Sequence, residues 1–285
     1  MSADVIDAHA HVWERARTPQ SWIDPATMAA IDADFTLTEL RAMHDSLGIS
    51  GVVLVQTAHE EAETREFLSA VDGRWVRGVV GWVDLTGDVT AAVDSLGGRG
   101  AGLVGVRHLA HQDPDDEALV RPERAAGIDA LGAQGLALDL VLRPEQLAQA
   151  VRLAETHSTT LVLDHLGNPP FGTDRWADWE RDLTELAQHD HVVAKVSGLG
   201  PLDPHACDAD GLRPAVDLAL EVFGPDRLLF GTDWPVVRLR GDAPQWARAA
   251  QNLLAGLSPT ERAAVMGGNA TRVYGLGEVA RDAHT

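Results

Sequence analysis

Two histidines separated by one residue stand near the start of the chain, in Asp7-Ala8-His9-Ala10-His11. Alternate residues of a β-strand lie on one face, so a strand here would place His9 and His11 on the same side with Asp7 below them. Two imidazoles at this spacing can bind one metal ion. The spacing alone is weak evidence, because two exposed histidines on a surface strand need no such role.

Two further polar residues come at the ends of other apolar runs. His165 ends the run that starts at Thr160, and Asp233 follows the run that starts at Arg227. Three separate strand ends therefore offer histidine, histidine and carboxylate. These side chains build metal centres and also serve in general acid and base catalysis.

Eight short apolar runs rich in β-branched residues predict the strands that position these groups. They lie at residues 4–8, 49–56, 76–83, 102–107, 136–141, 160–165, 192–196 and 228–232. Amphipathic stretches separate them, and one begins at the capping sequence Thr36-Leu37-Thr38-Glu39 and ends at Gly48. Apolar strands that alternate with helices predict a parallel sheet, and eight such units predict a closed (β/α)8 TIM-type barrel of the α/β class.

Size and composition fit one globular domain over residues 1–285, with 45% hydrophobic and 23% charged residues. No apolar run approaches membrane-spanning length. The formal net charge of −20 argues against nucleic acid or an anionic membrane surface as partner. The single cysteine, Cys207, excludes an internal disulfide. We expect a cytoplasmic protein that acts on a small molecule, and a homo-oligomer stays open.

Barrel enzymes carry their sites at the C-terminal ends of the strands, which supplies further candidates. These are Arg107 and His108 on the fourth strand, Asp139 and Arg143 at the fifth, and Trp234 after the eighth. The segment 12–35, which contains Trp22, is long for a loop between strand and helix. We expect it to fold over the barrel mouth.

With these residues in place, the chain resembles the amidohydrolase superfamily, in its amidohydrolase-2 branch of sugar lactonases of the fucono- and rhamnonolactonase kind. The resemblance covers nearly the whole chain. The segments that carry it are DAHAHVW at 7–13, GVRH at 105–108, DLVLRPEQL at 139–147, LDHLG at 163–167, VSGL at 196–199 and FGTDWP at 230–235. It implies His9, His11 and His165 as metal ligands, and it implies that Asp233 activates water.

The chain departs from the superfamily pattern at two places. Strand four carries Arg107 and no lysine, so the pair of metal ions bridged by a carboxylated lysine is not expected. At most one divalent metal ion, zinc or manganese, is then expected in the site, and operation without metal stays open. The next loop reads Leu109-Ala110-His111-Gln112, where the branch is expected to place a glutamine nearer 111, so its substrate contacts stay open.

The implied reaction is the hydrolysis of a cyclic ester in carbohydrate metabolism. Asp233 takes a proton from the attacking water, and His165 acts beside it; Asp233 is also counted among the metal ligands. A metal ion, or imidazoles and a guanidinium, would stabilise the charge on the carbonyl oxygen. The predicted substrate contacts are Arg107, His108, Arg143, Trp22 and Trp234.

Two alternatives use the same residues. Related barrels decarboxylate aromatic or unsaturated acids with metal, although the chain is poor in aromatic residues, which make up 5%. A barrel that binds a sugar acid without converting it is the second alternative, and the intact set of three histidines and an aspartate argues against it.

Lys195 is the only lysine among 23 basic residues, and it lies within the seventh predicted strand. A buried ammonium needs a partner, because an unpaired charge in the interior costs several kcal/mol. Asp7, Asp139 and Asp233 are the predicted partners if Lys195 points inward. Alternatively, its side chain extends outward between helices to water.

Overall fold

The computed structural model describes residues 4–201 and 208–277, so Cys207 lies outside the described residues. Eight parallel strands follow one another around a single sheet in chain order. Their bounds are β1 Ile6–Ala10, β2 Gly51–Val55, β3 Val76–Gly81, β4 Leu103–His108, β5 Ala137–Leu140, β6 Leu161–Leu163, β7 Val192–Val196 and β8 Leu228–Phe230. Each overlaps a predicted strand, and several are shorter at their ends.

Helices surround this sheet, and each of the first eight follows the strand of the same number. They are α1 Leu37–Leu47, α2 Glu61–Ser69, α3 Val89–Ser95, α4 Pro122–Ala133, α5 Leu147–Thr156, α6 Trp176–Leu186, α7 Ala209–Phe223, α8 Ala243–Leu253, α9 Pro259–Ala263 and α10 Asn269–Val273. None of the helices in the described ranges has both the length and the apolar character needed to cross a membrane.

Backbone hydrogen bonds join the last strand to the first at the mouth of the barrel. The Asp233 amide donates to the carbonyl oxygen of His9 at 2.8 Å, and the His11 amide donates to that of Trp234 at 2.7 Å. This closure confirms the predicted (β/α)8 barrel. It also fixes the ends of β1 and β8 side by side.

Two apolar layers hold the barrel together. The larger fills the space between strands and helices, as expected for a parallel sheet buried on both faces. The smaller fills the barrel interior and contains residues of all eight strands, together with Ala270 of α10 and Tyr274 and Leu276 beyond it. The C-terminal helix therefore covers the end of the barrel opposite the mouth.

Local sequence signals account for the helix ends. Thr36 and Glu39 form the predicted capping box of α1, which ends at Gly48 with a left-handed φ of 69°. Ser258 and Glu261 form a second capping box at α9. Such reciprocal bonds satisfy backbone donors that the first helical turn leaves unpaired.

Candidate active site

The two histidines of β1 meet at the barrel mouth with their Nε2 atoms 3.2 Å apart. Both side chains are buried. His11 donates from Nδ1 to the carbonyl oxygen of Val55 at 2.7 Å. Because a carbonyl oxygen only accepts, this bond places the His11 proton on Nδ1 and leaves a lone pair on Nε2.

His9 is oriented from below by a carboxylate. Its Nδ1 lies 3.2 Å from Asp164 Oδ1 and 3.1 Å from Lys195 Nζ. Burial, reinforced by the Lys195 charge, lowers the pKa of His9 well below its usual range. Arg107 Nη1, which can only donate, lies 3.2 Å from His9 Nε2, so this atom presents a lone pair on the side of His11. Two facing lone pairs call for a cation or a proton donor between them.

Asp233 completes a triangle with the two histidines. Its Oδ1 lies 3.4 Å from His11 Nε2 and 3.7 Å from His9 Nε2. Two ligand atoms at about 2.1 Å from one ion in tetrahedral geometry are about 3.4 Å apart. The three residues therefore fit a single divalent metal ion.

His165, the fourth predicted ligand, is not in that triangle. It forms a second potential ligand group with His9 and Asp164. Its ring accepts or donates a hydrogen bond at Nδ1 with Ser197 Oγ at 3.0 Å, and its backbone is left-handed with a φ of 55°. Gly198 makes room for the ring, since a Cβ at that position would lie 2.3 Å from His165 Nδ1.

Below the histidines lies a group of paired charges that we call the charged layer: Lys195, Asp139, Asp164, Arg107 and Tyr274. Lys195 Nζ lies 2.5 Å from Asp139 Oδ2 and 3.0 Å from Asp164 Oδ1. The Tyr274 hydroxyl donates to Asp139 Oδ2 at 2.8 Å. Two cations thus face two carboxylates, which makes burial of the group tolerable.

The charged layer also determines protonation. Although burial opposes ionisation, Lys195, His9 and Arg107 hold the pKa of Asp164 well below its usual range. Burial raises the pKa of Asp139 to about 6 against the opposing charge of Lys195. Asp164 is therefore the ionised carboxylate that fixes His9.

Lys195 points inward and is fully buried, and its predicted pairing with Asp139 is confirmed. The prediction of Asp7 as a partner is wrong. Asp7 accepts from His44 of α1 at 3.0 Å and from the Thr232 amide at 2.8 Å. The pairing of β1 with β2 shifts register between Asp7 and Ala10, which breaks the simple alternation that would have placed Asp7 under His9.

Arg107 lies at the junction of the charged layer and the mouth. Its Nη1 donates to Asp164 Oδ2 at 3.0 Å and lies 3.2 Å from His9 Nε2. Its Nη2 donates to the carbonyl oxygen of Gln56. The guanidinium therefore brings positive charge next to the facing lone pairs.

A cleft opens above these groups. The described residues that line it are His11, Trp22, Thr57, Arg107, Leu109, His111, Gln112, Val141, His165, Asn168, Gly198, Pro201, Asp233 and Val236. Trp22 donates to Gln20 Oε1 at 2.7 Å, and Gln20 donates to Thr57 Oγ1 at 2.9 Å. These bonds tie the segment 12–35 to the end of β2 and place Trp22 in the wall of the cleft. A contact between Trp22 and a substrate stays a prediction.

Three predicted substrate contacts do not line the cleft. His108 stacks on His59 with centroids 4.7 Å apart and faces Asp113, because alternation along β4 turns it away from Arg107. Arg143 donates to the carbonyl oxygen of His111 and to Asp116. Trp234 is buried, and its ring packs against Phe35.

Several residues of the site were not predicted from the sequence. Asp164 precedes His165 in the LDHLG segment, but the role of Asp164 depends on its partners in β1, β4 and β7. Tyr274 is the only tyrosine of the chain, and it comes from the far end of the sequence. Ser197 follows β7 in the VSGL motif, which was a usable signal.

Comparison with known proteins identifies the family of the chain. Residues 6–276 match the model of the amidohydrolase family. The chain belongs to the amidohydrolase family. It is 34% identical to an L-fucono-1,5-lactonase of Burkholderia ambifaria, over 98% of each chain.

Two further relatives agree over almost their whole length. An L-fucono-1,5-lactonase of Burkholderia multivorans is 33% identical over 98% of this chain and 99% of its own. A crystal structure of a Burkholderia multivorans amidohydrolase with bound zinc has a TM-score of 0.88 and 31% identity, and it covers 96% of this chain and all of its own. The amidohydrolase chain described here is thus similar along its full barrel to proteins of one family.

Proposed function

We propose that this amidohydrolase opens the ring of a lactone, specifically a sugar lactone, by hydrolysis to the hydroxy acid. The observation that carries the proposal is the meeting of the Asp233 carboxylate with the lone pairs of His9 and His11 in the cleft. The almost full-length similarity to two L-fucono-1,5-lactonases supports the same reaction.

In the proposed reaction, water adds to the ring carbonyl carbon while Asp233 accepts one of its protons. The carbonyl oxygen becomes negatively charged, and Arg107 and His165, which both line the cleft, stabilise that charge. The bond between the carbonyl carbon and the ring oxygen then breaks. Asp233 returns the proton to the ring oxygen, so the product carries a hydroxyl and a carboxyl group.

His9, His11 and Asp233 would hold the metal ion, zinc or manganese, with two neutral imidazoles and one carboxylate. A bound ion of this kind polarises a carbonyl oxygen or lowers the pKa of water to about 7. Without an ion, the Arg107 guanidinium supplies positive charge at the same place, 3.2 Å from His9 Nε2. His165 lines the same cleft, and its role as a further ligand stays a prediction.

A panel of aldonolactones with a pH indicator tests the reaction, read against the spontaneous hydrolysis of each lactone. Acid release above that rate supports the proposal. Release of carbon dioxide from aromatic acids would favour the decarboxylase alternative, and binding without acid release would favour a binding protein. The full-length relatives named lactonases favour neither alternative.

Zinc titration tests the metal site separately. Binding of an ion to the folded protein alone raises the melting temperature. We expect added zinc to raise the melting temperature of the wild-type protein and not that of His11→Gln, whereas His189→Gln, in the loop before β7, should behave as wild type.

The cytoplasmic location and the oligomeric state stay predictions.

A further inference from the structure

The loop after β4 places in the cleft a histidine that the proposed reaction does not use. His111 and its neighbour Gln112 line the same cleft as Arg107, His165 and Asp233. His111 Nδ1 is buried and, among the described residues, has no hydrogen-bond partner. Its Nε2 lies 3.3 Å from the side-chain nitrogen of Gln112. Buried polar atoms are nearly always paired, so an unpaired one in a cleft wall points to a group on a ligand.

The backbone around His111 is fixed from three sides. Its amide donates to the carbonyl oxygen of Val141 at 3.1 Å, and its carbonyl oxygen accepts from Arg143. The preceding carbonyl, of Ala110, accepts from Gln146 at 3.1 Å. A ring held by such a loop loses little conformational entropy when it binds a ligand. This gives Arg143 a role as a support of the cleft wall.

The imidazole is uncharged near neutral pH. Burial, followed by the nearby charge of Arg107, lowers the pKa of His111 to about 4. A neutral imidazole carries one N–H donor and one acceptor nitrogen. Because the Gln112 amide nitrogen donates to Nε2, the ring proton lies on Nδ1, which can donate to a substrate hydroxyl oxygen, whereas the neutral ring cannot neutralise an anion.

The rest of the wall has the same character. Arg107, the one cation among the described lining residues, is paired with Asp164 at 3.0 Å. Apart from His11, His165 and the Asp233 carboxylate at the reacting end, the polar side chains of the wall include those of Thr57, Gln112 and Asn168, which are neutral. A second carboxylate beside these neutral groups, away from Arg107 and the reacting carbonyl, would lose its hydration without gaining a cation, which is costly.

We propose that His111, together with Gln112, forms a subsite that binds ring hydroxyls and selects uncharged polyhydroxylated lactones over lactones with a second anionic group. The inference rests on the proposed lactone hydrolysis and adds to it the residues that recognise the substrate hydroxyls. His111 is on this view a specificity-determining residue.

Deoxy analogues of one aldono-1,5-lactone, each lacking a single ring hydroxyl, test the contact in a cycle with His111→Leu. We expect this substitution to lower kcat/KM for the parent lactone about 10- to 100-fold, and to leave one deoxy analogue almost unaffected. His111→Asn keeps a donor and an acceptor, so it should retain more activity. His189→Leu is the matched control, and melting temperatures report folding.

A second arm compares the aldonolactone with the lactone of the corresponding diacid. The wild-type protein should prefer the uncharged substrate, and His111→Arg should shift the ratio of kcat/KM toward the diacid lactone. An equal loss for every analogue in His111→Leu, no loss at all, or a wild-type preference for the diacid lactone would overturn the inference alone. A wild-type protein that hydrolyses no lactone would overturn the proposed function and this inference with it.

Discussion

The mouth of the barrel and the charged layer beneath it both place carboxylates beside basic side chains, but they differ in how these groups are paired. At the mouth, His11 Nε2 and the Asp233 carboxylate face the cleft without a strong partner of their own. In the charged layer, Lys195 and Asp139 are fully buried and form an ion pair at 2.5 Å. The comparison teaches that reactive atoms can be left open to the cleft where buried ion pairs beneath them fix the residues that carry them.

The backbone conformation also differs between the mouth and the charged layer. Within the described ranges, the non-glycine residues with left-handed φ are His165, Leu166, Asn168 and Asp233, which all lie at the ends of β6 and β8. Residues of the charged layer such as Asp139 and Lys195 come from regular strands. Strained conformations of this kind cost roughly 1–3 kcal/mol each and occur preferentially at functional sites.

Asp233→Asn should give the largest effect, because it removes the proposed base from the mouth and leaves the charged layer intact. We expect turnover of the preferred lactone to fall about 10²- to 10⁴-fold with the melting temperature nearly unchanged. Asp174→Asn, at an exposed position, is the control. Turnover close to wild type in Asp233→Asn would contradict the mechanism.

Lys195→Met should disturb the charged layer rather than the mouth, so we expect it to lower the stability of the protein. Removing one partner of a buried ion pair leaves uncompensated carboxylates and costs about 3–5 kcal/mol of unfolding free energy. Denaturant unfolding measures this loss, and the double variant Lys195→Met/Asp139→Asn should recover part of it. Borohydride with substrate should trap no adduct in the wild-type protein. Wild-type stability of the single variant would disprove the role of the charged layer.

Gly198→Ala tests the fit between β7 and the mouth. The new Cβ would lie 2.3 Å from His165 Nδ1, so the ring must move. A displacement of about 1 Å can cost about 10²-fold in rate, and we expect kcat/KM to fall by up to that factor. Gly172→Ala matches the left-handed backbone, with φ of 71°, but has no atom within 4 Å of the new Cβ. Equal activity of the two variants would rule out the steric explanation.

The pH dependence of stability should show the smallest effect, at His59 beside the mouth. Its Nε2 accepts from the Leu109 amide at 2.9 Å, and burial, followed by His108 and Arg107, lowers its pKa to about 4. Its contribution to stability is therefore complete above the unfolded pKa of about 6.5 and is lost as pH falls toward 4.

His59→Gln keeps an acceptor but removes this titration. Urea unfolding at several pH values between 7.5 and 4.5 should show a smaller loss of stability for His59→Gln than for the wild-type protein. His189→Gln serves as the reference substitution. Identical slopes in His59→Gln and wild type would show that His59 does not titrate in this range.

The sequence predicts those parts of the molecule that depend on local pattern. The eight strands are buried and mostly apolar, and Thr36 and Glu39 carry their capping signal within four residues. The meeting of His9 with Asp233 follows from barrel closure alone. The roles of these residues in catalysis stay predictions, since geometry brings them together without showing turnover.

Other features depend on contacts between distant segments. The irregularity in β1 turned Asp7 toward His44, although strict alternation placed it under His9. His108 and Arg143 end up beside Asp113 and Asp116, and neither aspartate carries a signal in the sequence that predicts this pairing. Such distant partners decide which way a polar side chain at a strand end points.

The position of Tyr274 in the chain has a consequence for the order in which the enzyme becomes complete. Its hydroxyl bonds to Asp139, yet translation produces it 135 residues later. During synthesis, Asp139 on β5 and Lys195 on β7 are therefore both made before Tyr274, whose hydroxyl covers Asp139 from below. A nascent chain that has not yet released Tyr274 from the ribosome holds both halves of the ion pair without that cover, so the charged layer is completed only after Tyr274 has emerged.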